Sequence, residues 1–176
     1  CRILLRRNDE QIPDDVLNRL AEYAGQAEAA ECFEGLLGVE GAAAELYFSR
    51  LGSLLKTDDQ KLSFNGRNRR PPKDPVNAVL SYLYGILAKE CFVTLLSVGF
   101  EPYLGFYHQP RYGRPALALD LMEEFRPLIA DSTAVSLFNN KELAIKDFVI
   151  TEEGVMLRSS AKRKVVAGYE RRVDTK

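Results

Sequence analysis

From Asp74 to Gly99 the chain carries the segment that most constrains its fold. Asp74 followed by Pro75 is a strong helix start: an aspartate caps free N–H groups, and proline fits the first turn. The apolar pattern then runs from Val76 to Val98, with Gly99 as the stop. A helix of that length spans roughly 35 Å, and other segments at helical spacing surround it in sequence. Pro13 opens a helix running to about Ala29, and another covers roughly Cys32 to Leu51. Pro115 starts a helix through Asp120 and Glu123, which Pro127 is expected to kink. A basic helix from about Ser159 to Val173 comes last. The stretch "DFVITEEGVMLRS" predicts a small hairpin around Glu153 and Gly154. Residues 56–73 and "FEPYLGFYHQPRYGRP" read as irregular or extended chain. The expected fold is therefore all-α, with one small β-hairpin, over residues 13–176, preceded by a linker over residues 1–12.

A chain of 176 residues suits one domain with a real core. It has no internal repeat and no low-complexity tract. No apolar run approaches the length of a bilayer span, so no membrane role is expected. Cys1, Cys32 and Cys91 lie far apart without a CxxC pairing, which predicts free thiols in a reducing cytosol. Nothing at the start marks the chain for export, so the expected location is the cytoplasm.

The net charge of −1 conceals an uneven distribution. "GRNRRPPKDP" concentrates Arg67, Arg69, Arg70 and Lys73 in one loop. "AKRKVVAGYERR" adds Lys162, Arg163, Lys164, Arg171 and Arg172. Acids collect in the first helix and around Asp120 to Glu124. Such segregation can place a basic surface on a near-neutral protein, although solvated surface alone would give the same pattern.

"LLGVEGAAAELYF" holds an acid in apolar company. At helical spacing Phe33, Leu36, Leu37, Glu40, Ala44, Tyr47, Phe48 and Leu51 share one broad face. An ionised carboxylate inside such a stripe costs several kcal/mol, roughly, unless paired or bound to a metal. His108 is the only histidine, on the loop before the Asp120 helix. Asp120 and Glu123, three apart, project from nearly the same face. Carboxylates with a single imidazole favour Mg²⁺ or Mn²⁺ over zinc, and such an ion beside arginines equips a site for phosphodiester chemistry. Each feature also has a plainer reading: a surface histidine, a solvated helix face at Asp120 and Glu123, and a Glu40–Arg126 ion pair. Arg69 and Arg70 could equally be rim residues or pair with Asp74.

Taken in order, "LLGVEGAAAELYF", "FNGRNRRPPKDPVNAVLSYLYGIL" and "GFEPYLGFYHQPRYGRPALALDLMEEFRPLIAD" resemble the CRISPR-associated endonuclease/integrase family of spacer acquisition, the family numbered one among the Cas proteins. The resemblance runs from about Leu4 to the last residue. It implies metal ligands at Glu40, His108 and Glu123, with Asp120 close to the site and next to the ligands. It implies Mg²⁺- or Mn²⁺-dependent phosphoryl transfer on DNA, in which a 3′-hydroxyl of captured DNA attacks the repeat of the array, or water hydrolyses a strand. Arg67, Arg69, Arg70, Lys73, Lys162, Arg163 and Lys164 become candidates for holding phosphates. The implied partners are prespacer and CRISPR-repeat DNA, a second copy in a homodimer of the full-length protein, and a small CRISPR-associated adaptation subunit. The family's N-terminal β domain is absent from this stretch, and its C-terminal end falls short of the family's usual one. An N-terminal fusion to a nuclease or a reverse transcriptase fits the family. Two other functions compete: a helical DNA- or partner-binding module with an inactive metal site, and a metal hydrolase acting on small phosphorylated molecules.

Overall fold

The Asp74–Pro75 signal folds as its chemistry dictates. In a computed structural model, which describes residues 1–8, 12–57, 59–68 and 70–175, the Asp74 carboxylate accepts from the Asn77 backbone N–H at 2.8 Å. That bond caps a helix over Pro75–Ser97, and Gly99 ends the run at φ 88°. Among the described residues three α-helices precede it, α1 (Arg2–Asn8), α2 (Asp14–Glu28) and α3 (Phe33–Leu51), which makes the long helix α4. After it come α5 (Ala116–Phe125), α6 (Ser132–Asn139), a two-stranded antiparallel ribbon of β1 (Phe148–Ile150) and β2 (Val155–Leu157), and α7 (Ser159–Asp174). The chain is thus mainly helical with one small hairpin, as its sequence patterns predict.

Pro127 does more than kink a helix. Residues Arg126–Asp131 form a wider, π-helical segment between α5 and α6, because proline cannot supply its N–H to the ordinary ladder. Pro13 and Pro115 stand at N-caps, one residue outside the helices they open. On α3 the cap is the Cys32 thiol, whose sulfur accepts from the Gly35 N–H at 3.4 Å.

By length and composition α4 qualifies as a bilayer span, contrary to the sequence expectation. Its place in the fold explains the apolar content. Val76, Val79, Leu80, Leu83 and Leu87 are buried in one continuous core with Leu54, Leu137, Leu143 and Val165, and α5, α6, α7, β2 and the π-helical segment all pack on it. Each such side chain taken out of water contributes about 1.5–3 kcal/mol. The segment expected as a linker is also part of this structure: residues 2–8 are helical, with Leu4 and Leu5 buried. All three cysteines are free thiols, and Cys91 is buried.

Candidate metal centre

Asp120 organises the loop that borders a cleft. Its carboxylate leaves α5 toward the preceding loop, where the backbone N–H groups of Phe106, Tyr107 and His108 donate to it at 2.7, 3.0 and 2.8 Å. The His108 ring adds a contact from Nδ1 to Oδ1 at 2.7 Å. Burial alone would raise the Asp120 carboxyl, but the His108 and Tyr107 N–H groups, the imidazole and the Phe106 N–H outweigh it and hold the group below the usual carboxylate range. An ionised Asp120 can only accept, so Nδ1 carries a proton in this contact, and in a neutral ring the lone pair falls on Nε2. Gly105 permits this close approach, since a Cβ there would lie 2.7 Å from both the His108 carbonyl oxygen and the Ala116 Cβ.

Glu40 stands across the cleft on α3. The Tyr107 hydroxyl donates to its Oε2 at 2.9 Å, and the Tyr107 ring tilts against Phe33 with centroids 5.5 Å apart. Burial, the hydrogen bond to Glu40 and the charges of Glu40, Glu123 and Asp120 push the Tyr107 phenol up to about 12. Glu123, one turn beyond Asp120, takes an Arg126 Nη1 donor on its Oε2. Arg126 in turn lies 4.4 Å from the Tyr84 ring centre, and Arg67 lies 5.1 Å from the same ring.

Beneath these groups is Asp131, 1% exposed. The Tyr84 and Tyr47 hydroxyls donate to its two oxygens at 2.6 and 2.7 Å. Burial raises the Asp131 carboxyl, and the two phenols with Arg126 and Arg67 oppose that rise in part. Glu40, Tyr107, Glu123, Arg126 and Asp131 line one cavity of about 760 Å³.

Two expectations about Glu40 need correction. It is exposed, as is Leu37, and of its α3 stripe only Tyr47 and Leu51 are buried. The outer part of that face meets the open cleft instead of the core, so the desolvation cost that the sequence pattern suggests is largely absent. Nor does Glu40 pair with Arg126, whose guanidinium goes to Glu123.

The structure brings Glu40 and Glu123 to the same cleft and clamps His108 beside it through Asp120. As placed, no three His, Cys, Asp or Glu side chains among the described residues are grouped closely enough to hold an ion: Tyr107 engages Glu40, and Arg126 engages Glu123. The donor set still fits a hard divalent cation. Each glutamate is engaged through Oε2, and the second ring nitrogen of His108, Nε2, takes no part in the Asp120 contact. Two carboxylates with one imidazole suit Mg²⁺ or Mn²⁺.

The basic residues divide. Arg67 turns inward, donating to the Asn68 carbonyl, Asn77 Oδ1 and Ser81 Oγ. With Tyr84 stacked on Arg67, the stripe of Asn77, Ser81 and Tyr84 on α4 thus faces this loop and the cleft. Lys164 gives its Nζ to both Asp147 oxygens at 2.9 and 3.0 Å and to the Glu142 carbonyl at 3.0 Å. Both residues are partly exposed and are already engaged within the fold. Arg70, Lys73, Lys162 and Arg163 are exposed. Asp74 serves Asn68 and Asn77 and pairs with no arginine among the described residues. Arg69 lies outside the described residues.

Sequence reasoning missed Tyr107 and Arg126 as the partners of the glutamates, and Asp131 with its tyrosines. Arg126 follows Glu123 by three on a helix, a spacing that signals contact. Tyr107 has only its place beside His108 to mark it, and nothing in the sequence marks Asp131.

The class of protein is thus a mainly helical domain with an open cleft, lined by Glu40 and Glu123 and flanked by a clamped histidine. The comparisons place it further. The family model described as CRISPR associated protein Cas1 matches residues 1–171, and the chain belongs to that family. It is 49% identical to a CRISPR-associated exonuclease Cas4/endonuclease Cas1 fusion from Geobacter sulfurreducens, over 99% of this chain and 33% of the relative. It is 45% identical to a CRISPR-associated endonuclease Cas1 from Thermus thermophilus, over 98% of this chain and 50% of the relative. Its fold matches a chain of a Cas6-RT-Cas1–Cas2 complex with a TM-score of 0.87 and 31% identity, covering 99% of this chain and 20% of that one. It also matches a casposase bound to integration product, with a TM-score of 0.79 and 26% identity, over 99% of this chain and 50% of that one. The chain therefore spans a third to a half of the two curated relatives described.

Proposed function

We propose that this chain is the catalytic domain of a metal-dependent DNA integrase and endonuclease that inserts new spacers into a CRISPR array. The observation that carries the reading is the Asp120-clamped His108 beside a cleft lined by Glu40 and Glu123, in a chain of this family. Glu40, His108 and Glu123 would hold Mg²⁺ or Mn²⁺. When bound, the ion supplies Lewis-acid stabilisation to phosphate oxygens and makes a hydroxyl or water a better nucleophile.

The chain's own residues do the rest. Asp120 keeps the proton on His108 Nδ1, so Nε2 serves as a ligand and His108 is no general base. Tyr107 and Arg126 hold the two glutamates in the cleft and soften their mutual repulsion. Arg70, Lys73, Lys162 and Arg163 grip DNA phosphates, which makes binding salt-dependent. In integration the 3′-hydroxyl of a prespacer attacks a phosphodiester of the repeat: a new O–P bond forms, the original P–O bond breaks, and the repeat strand leaves with a free 3′-hydroxyl. Water in place of the hydroxyl gives cleavage. The whole protein would act in the cytoplasm as a homodimer with a small adaptation subunit. Fusion to a nuclease or a reverse transcriptase is in keeping with the relatives' names.

The test is strand transfer and cleavage of branched DNA by the full-length parent protein with Mn²⁺ or Mg²⁺. Glu40→Ala and His108→Ala should each reduce turnover at least 100-fold (on the order of 3 kcal/mol of transition-state stabilisation). The rival, a DNA-binding module without turnover, draws on the present engagement of Glu40 by Tyr107 and of Glu123 by Arg126. It predicts a folded parent that binds DNA and turns nothing over.

A further inference from the structure

The hairpin of β1 and β2 lines no part of the cleft, yet its tip is pressed against the basic loop. Thr151 and Gly154 close the turn by exchanging bonds: the Thr151 N–H donates to the Gly154 carbonyl at 2.9 Å, and the Gly154 N–H returns to the Thr151 carbonyl at 3.3 Å. In an antiparallel pair the next residue then turns its N–H away from the partner strand. That residue is Val155, and its outward N–H donates to the Pro72 carbonyl at 2.8 Å. Gly154 makes the approach possible. A Cβ there would lie 2.7 Å from the Pro72 oxygen and 2.8 Å from the Pro71 Cβ, closer than such atoms pack.

The loop is held from its other side as well. The Asn68 carboxamide accepts from the Lys73 N–H at 2.8 Å and donates to Asp74 at 3.1 Å, while the Asn68 N–H donates to Asn77 Oδ1 at 3.0 Å. The base of the loop is thus tied to the capped end of α4, and its crest, Pro71–Pro72, to the hairpin. The crest depends on such an outside contact, because neither proline has an N–H with which to close a turn of its own. The flanking residues, Arg70 and Lys73, are exposed and join no ion pair among the described residues. The hairpin turn itself carries Glu152 and Glu153, both exposed. Acids repel phosphates, so any service the tip gives to DNA passes through the loop.

We infer that Gly154 and the Val155 N–H are positioning groups for DNA: they fix the Pro71–Pro72 crest so that Arg70 and Lys73 stand ready for phosphates. This rests on the DNA reading above and adds to it the element that sets the basic loop. A cation on a fixed backbone gives up only its own side-chain freedom when it meets a phosphate. On a slack loop the backbone must be ordered too.

The experiment measures binding of the full-length parent protein to a fluorescein-labelled DNA duplex in EDTA over a range of KCl. Gly154→Val forces the crest away. It should weaken binding about tenfold at fixed salt and lower the slope of log affinity against log salt by about 2, the share of two phosphate contacts. Val155→Pro removes the donor at a point where an edge strand tolerates proline, and should change binding in the same direction. Neither should cost anything further in an Arg69→Ala, Arg70→Ala, Lys73→Ala background, which separates positioning from a general loosening of the fold. A loss that persists in that background overturns the inference, as does full affinity in both variants. Failure of both variants to fold also overturns it, since the contact would then serve the domain and not the loop. A wild type that binds no DNA removes the DNA reading itself. One that binds with salt dependence but is indifferent to Gly154 and Val155 removes only the brace.

Discussion

Two aspartates, Asp131 in the lining of the cleft and Asp120 beside it, show how one helical run can serve both a fold and a site. Asp131, at the end of the π-helical segment, is sealed off from water and meets two phenol donors, and its carboxyl is raised by burial. Asp120, on α5, meets three backbone N–H groups and an imidazole, which hold its carboxyl low despite burial. The same side chain thus acts as a structural acceptor in one place and as a fixed negative charge steering a histidine in the other. Depth alone does not decide which, because neither is free in water. The donors decide: phenols satisfy a carboxyl at either charge state, whereas a row of N–H groups demands the carboxylate.

The largest effect that would break this comparison is on stability. Asp131→Ala leaves two buried phenols without acceptors and should destabilise the domain by about 3 kcal/mol, read as a lowered denaturant midpoint in the parent protein. A loss below about 1 kcal/mol would mean that the tyrosines find other partners. Asp120→Asn should act in the opposite sense. It weakens the clamp on His108 and should lower Mn²⁺ affinity about 10–100-fold, with a smaller change in stability than Asp131→Ala. Equal stability losses in the two variants would erase the distinction.

A smaller effect concerns Asp147. Burial would raise its carboxyl, but the Lys164 ammonium, the Ala144 N–H and Lys146 outweigh burial and hold it low. A depressed carboxyl contributes stability above its unfolded value of about 3.9 and loses it as pH falls through the folded value. Lys164→Met should therefore cost about 1 kcal/mol near neutral pH, since the lysine is partly exposed and screened, and the difference should shrink below about pH 4. Smallest is the salt dependence of DNA binding. Lys73→Ala should reduce the slope of log affinity against log salt by about 1, while Lys164→Met leaves it unchanged because its ammonium is already committed to Asp147.

The architecture was largely legible in the sequence because its signals are local. The Asp74 cap, Pro127 and the turn at Gly154 each act within a few residues of themselves. The resemblance singled out Glu40, His108 and Glu123, and the fold brings the two glutamates to one cleft with His108 at its side. What stayed hidden depends on direction and depth. A 3.6-residue period shows that Glu40 shares a face with Tyr47, but not that this face leaves the core for an open cleft. Counting charges collects Arg67 and Lys164 with Arg70 and Lys73, although the first two point inward to Asn77 and Asp147. The Tyr47–Asp131–Tyr84 contact joins three helical segments distant in sequence, and no spacing rule reaches that far.

The central claim is that His108 is a metal ligand held ready by Asp120. The direct measurement is pulsed electron paramagnetic resonance of Mn²⁺ bound to the full-length parent protein. The account predicts nitrogen modulation from one imidazole, present in the wild type and absent in His108→Ala. Mn²⁺ bound with no nitrogen modulation in the wild type, or with modulation that survives His108→Ala, would contradict it.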